Sequence, residues 1–125
     1  MTTSKNSIYR EMVVDLLYRL RLVDELFCQT TDAVIYAMNA EDVAAKRQAV
    51  QQIRSYSSAL QVIYADFLRL IEGQHVVFPA DVSLWQWEEP NGGELIAQVL
   101  ERLHGIEEGM EGKLDEEMSN MEAEK

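Results

Sequence analysis

Apolar side chains recur every three to four residues from Tyr9 to Ile71, and no glycine or proline interrupts that span. The spacing follows the turn of an α-helix and not the two-residue alternation of a strand. It falters in one place, Asn39-Ala40-Glu41-Asp42. Asn39 can end one helix or cap the next, and Asp42 sits three residues on, in a capping-box-like position. The stretch therefore predicts two long helices, about 6–38 and 41–72, doubled back into a hairpin. An unbroken rod through Asn39 is the alternative, and it would need an obligate dimer to bury its apolar stripe.

The first helix carries Val13, Leu16, Leu20, Val23, Phe27, Thr30, Val34 and Ala37 at alternating spacings of three and four. This is a coiled-coil-like seam about four heptads long. Tyr9, Met12 and Met38 extend the stripe. The second helix faces it with Val43, Ala49, Val50, Ile53, Tyr56, Leu60, Ile63, Tyr64, Phe67, Leu70 and Ile71, while Arg47, Arg54, Ser58, Arg69 and Glu72 take the opposite side. Antiparallel packing through a short loop suits two such helices. A hairpin alone leaves much apolar surface wet, so a third helix or a second copy is required.

Gly73 ends the second helix as a C′ glycine would. Residues 74–92 form an irregular connector. Pro79 disfavours helix at Phe78, and Trp85 and Trp87 stand in the segment that follows. Its aromatic and branched residues predict a strap over one end of the bundle. A third helix, about 93–121, places Leu95, Ile96, Val99, Leu100, Leu103, Ile106, Met110, Leu114, Met118 and Met121 in one arc. Gly105, Gly109 and Gly112 lie on its polar side and each costs ~1 kcal/mol in a helix interior. The expectation is a firm helix to Glu108 and a looser continuation. The fold class is thus an all-α antiparallel bundle, one domain over 1–125, with 1–5 and 122–125 flexible.

Charge narrows the function. The formal net charge is −11. Residues 88–125 hold twelve acids and three bases, so they carry −9 of it. Such a balance repels phosphate backbones and disfavours direct nucleic-acid binding. It suits a basic partner. Cys28 stands alone, so no intrachain disulfide forms, a cytoplasmic setting fits, and the thiol beside Phe27 reads as half-buried. No apolar run reaches the ~18 residues of a membrane span.

No catalytic constellation emerges, and no cofactor motif. Both histidines sit in Glu-x-x-His, as Glu72/His75 and Glu101/His104. Paired Glu-x-x-His elements ligate metals in carboxylate bundles. Here Glu72, Glu101 and His104 fall on polar sides and Gly73 breaks the first pair, so these residues are expected to be solvated, and only an interface between two copies would make them ligands. Val14, Tyr18 and Leu22 recur every four residues on the otherwise charged side of the first helix. A helix apolar on two sides is usually sandwiched: the third helix covers this strip, or a second copy or partner does, or its members are scattered exposed apolar residues of the ordinary kind. Trp85 and Trp87 are candidate anchors of the same kind.

The resulting expectation is a non-enzymatic, homodimeric interaction protein: a small bacterial-type regulator, inhibitor or chaperone-like adaptor that binds other proteins through its helices. An acidic inhibitor of a basic site, immunity-type or a nucleic-acid mimic, is the second reading. A metal-binding helical protein is the third.

Overall fold

The long seam of apolar residues becomes α1, Thr2–Asn39, followed by α2, Val43–Leu70, and α3, Gly92–Ala123. The computed structural model describes residues 2–39, 42–71 and 92–123, with side chains at 7–39, 42–71 and 96–123. All three elements are helices, and the described residues include no strand. At 1.5 Å per residue α1 is roughly 57 Å long. It starts at Thr2, four residues before the expected Asn6.

The hairpin closes where the pattern falters. The Asn39 side-chain amide donates to the Ile35 carbonyl at 3.1 Å, one turn back. Asp42 is the N-cap of α2: its carboxylate accepts from the Ala44 N–H at 3.0 Å. Helix 2 thus begins at Val43, two residues later than the sequence placed it, because Asp42 is spent on capping. At the other end, the Ile71 N–H bonds the Phe67 carbonyl at 2.9 Å.

Helices α1 and α2 pack along their seams. Val13, Leu16, Leu20, Val23, Val34 and Ala37 meet Ala49, Val50, Ile53, Leu60, Ile63 and Phe67 in one core. Thr30 is fully buried in the α1 seam without penalty, since its hydroxyl donates to the Leu26 carbonyl at 2.7 Å. Arg19 fixes the register from outside: it bonds Asp66 across the hairpin at 2.9 Å, with Asp15 and Arg69 flanking that pair. Three residues expected in the stripe stay exposed, Met12, Met38 and Val43. A seam that keeps a seven-residue period drifts around a straight helix, so residues at its flank and at the hairpin tip fall outside the contact.

Helix α3 lies in the groove of the hairpin and buries Ile96, Val99, Leu100, Leu103, Met110 and Leu114. His104 meets Phe27 and, toward the other end, the Tyr9 hydroxyl donates to Glu117 at 2.9 Å. Both α2 and α3 therefore run antiparallel to α1 and parallel to each other. The second half of α3 is not loose. Met110 and Leu114 are among the most buried side chains of the bundle. The three glycines face open space, with nothing within 4 Å of a Cβ built on any of them. They weaken the helix without touching the seam, and burial of the opposite side outweighs that cost. No described helix is long and apolar enough to cross a membrane.

Candidate functional site

Within α3, residues 100, 103, 107, 110 and 114 alternate in steps of three and four. Four of them are Leu100, Leu103, Met110 and Leu114, all buried. The fifth is Glu107, which is only 2 % exposed. The helix that fills the groove therefore carries a carboxyl into the core, and the other two helices supply its surroundings.

From α2 comes Tyr56, with no exposed surface at all. Its ring leans on Phe27 of α1, with centroids 5.7 Å apart and planes tilted by 45°. Phe27 in turn stacks on the His104 imidazole at 3.8 Å and 7°. That stack turns His104 inward, so that it is half-buried and not on the solvated side where the sequence placed it. Its Nδ1 lies 3.1 Å from Glu107 Oε2, and its Nε2 lies 3.0 Å from Glu108 Oε1. Asp24 of α1 completes the group at its solvent edge. One ligating atom each from Asp24, His104 and Glu107 fall within 4.8 Å of one another.

Electrostatics follows from that geometry. Burial is the main force on Glu107, because it penalises the ionised form. The negative charges of Asp24 and Glu111 add to it, as does a polar contact with Asp24, against an opposing contact with the Tyr56 hydroxyl; the carboxyl is raised to about 8. The protonated form is therefore favoured in the core over what an exposed carboxyl would show. The Tyr56 phenol is likewise raised, first by burial and then by the charges of Glu107 and Asp24. The Tyr56 hydroxyl and Glu107 Oε1 are nonetheless buried with no hydrogen-bond partner. Leaving a buried polar group unpaired costs about 1–3 kcal/mol. The cluster thus sets a carboxyl whose charged form is disfavoured in the core, beside a histidine that reaches Glu108 at the surface.

The residues singled out from sequence are distributed differently. Glu101 is exposed, one turn above the cluster, and His104 pairs with Glu107 and Glu108. Glu72, His75, Trp85 and Trp87 lie outside the described residues. Cys28 is exposed, where the sequence had it half-buried. Asp24, Tyr56 and Glu107 were missed as a group. The missed signal for Glu107 was its place between Leu103 and Met110 at seam spacing.

The outer strip of α1 is a second feature. Val14, Tyr18 and Leu22 remain exposed, Tyr18 by 62 %. Helix α3 does not cover them; it packs on the other side of α1. A shallow, mainly apolar depression runs along Ser7, Arg10, Glu11, Val14, Asp15 and Tyr18. Compared with protein families, with curated proteins and with solved structures, the chain shows no significant match to any.

Proposed function

We propose that this chain is a non-enzymatic interaction protein that docks an amphipathic helix of another protein along the outer face of α1. The observation that carries the reading is the exposed run Val14, Tyr18 and Leu22 at four-residue spacing, with Val14 and Tyr18 lining a shallow apolar depression. Three apolar side chains on one face match the i, i+4 anchors of helix-in-groove recognition. Exposed apolar patches rimmed by polar residues mark such surfaces.

Charge selects the occupant. The rim holds Glu11, Asp15 and Glu25 beside Arg10 and Arg21, on a chain of net charge −11. Symmetric pairing of two copies about Tyr18 would set Glu11 against Glu25 but also Asp15 against Arg21, so its rim pairs balance and the remaining cost is that of bringing together two chains of net charge −11. A helix with a basic rim avoids that cost. Binding of this kind combines an apolar core with an electrostatic rim, so it weakens but persists as salt rises.

Photocrosslinking from position 18, in the native cell, tests this. The reading expects adducts on an apolar helix with lysine or arginine at its flanks, and none from a crosslinker at Ser58 on the exposed side of α2. Adducts to a second copy of this chain, with a doubled mass in solution that Tyr18→Glu halves, would replace the foreign helix by a homodimer. Equal labelling from positions 18 and 58 would remove the strip as a docking surface.

A further inference from the structure

We propose that Asp24, His104 and Glu107 form a binding site for a divalent transition-metal ion of the zinc class, set between α1 and α3. Three observations converge on it. The ligating atoms of the three residues already lie within 4.8 Å of one another. A bond length of ~2.0–2.2 Å around such an ion puts neighbouring ligand atoms ~3–3.6 Å apart. His104 Nδ1 and Glu107 Oε2, at 3.1 Å, stand at that separation, and Asp24 at the solvent edge lies within 4.8 Å of both residues.

The histidine is also held as a ligand would be. Glu108 Oε1 accepts from Nε2 at 3.0 Å. In that tautomer Nδ1 presents its lone pair to Glu107 and Asp24, and stacking on Phe27 at 3.8 Å fixes the plane of the ring. A carboxylate on the far imidazole nitrogen is the usual outer support of a metal-bound histidine.

The third observation is independent of the ligand distances. Glu107 Oε1 and the Tyr56 hydroxyl are buried and unpartnered, and the Glu107 carboxyl lies beside both Tyr56 and Asp24. A cation held by Glu107 gives its second oxygen a partner, and a water on that cation gives one to the tyrosine. The set of one imidazole and two carboxylates favours zinc, ferrous or manganous ions over calcium and magnesium, which take oxygen ligands throughout. The exposure of Asp24 leaves an entry path. The site shares only His104 with the Glu-x-x-His pairs of the sequence, and Glu101 takes no part in it.

Zinc titrated into the chelator-stripped full chain, followed by calorimetry, tests the assignment. The expected result is one saturable equivalent, with affinity at least tenfold lower in Asp24→Asn and in Glu107→Gln and unchanged in Glu101→Gln. Should either variant fail to fold, cobalt added to the unaltered chain gives the same answer, because paramagnetic shifts then centre on the His104 ring. No saturable uptake, equal uptake by all variants, calcium bound as tightly as zinc, or shifts that miss His104 would each overturn it.

Discussion

Glu107→Gln isolates the energetics of the buried carboxyl, because the amide keeps the shape and never titrates. In the folded chain the Glu107 pKa is raised from 4.5 to about 8. A raised folded-state pKa means that the native state holds a proton the unfolded state has lost. The stabilising contribution is therefore complete below about pH 4.5, declines as pH rises, and is gone above about 8. Each pH unit in the window is worth about 1.4 kcal/mol, so the whole shift amounts to roughly 5 kcal/mol as a ceiling. Movement of the side chain toward the solvent edge at Asp24 lowers it, and a loss of roughly 2–5 kcal/mol is the expected range. The assay is urea unfolding of both proteins at half-unit steps from pH 4.5 to 8.5. Taking the difference between them cancels the titration of the many surface acids. Wild type should lose stability relative to Glu107→Gln across the window. A difference that stays flat within about 0.5 kcal/mol, or rises with pH, would refute the argument that burial and the charges of Asp24 and Glu111 govern this group.

Three further outcomes follow from the packing. Replacing Gly105, Gly109 and Gly112 with alanine, where nothing lies within 4 Å of the added Cβ, should stabilise the fold by about 0.5–1 kcal/mol at each position, read as a higher urea midpoint. Leu114→Ala should cost about 2–5 kcal/mol, since Leu114 has no exposed surface; a cost under about 1 kcal/mol would mean that the second half of α3 is only loosely docked. Asp42→Ala removes the bond to the Ala44 N–H at 3.0 Å and should cost about 1 kcal/mol, while Asp42→Asn should largely restore it.

Much of the architecture is legible from periodicity, because a seam must repeat to bury itself. The α1 seam, the break at Asn39 and the α3 arc are set by apolar spacing, and spacing is local information. What spacing misses is registered between helices. Glu107 occupies a seam position, but reading acids as solvated put Ile106 in the arc instead; Ile106 is only half-buried, packed at the edge of the core. His104 was assigned to the polar side because its partner for stacking, Phe27, belongs to another helix. The glycines of α3 misled in the opposite direction. Their propensity cost is real, yet it acts on the open side, while Met110 and Leu114 on the opposite side hold the helix down. Val14, Tyr18 and Leu22 were recognisable as a second apolar strip, but only the position of α3 shows that the third helix leaves them bare.

The claim on which the account turns is that α3 carries a protonated carboxyl into the bundle core beside Asp24, Tyr56 and His104. A carbon-13 titration of the Glu107 side-chain carboxyl in the folded chain measures it directly. The account predicts a midpoint near 8, with coupled shifts at His104. A midpoint near 4.5, the value of a carboxyl open to water, would contradict it.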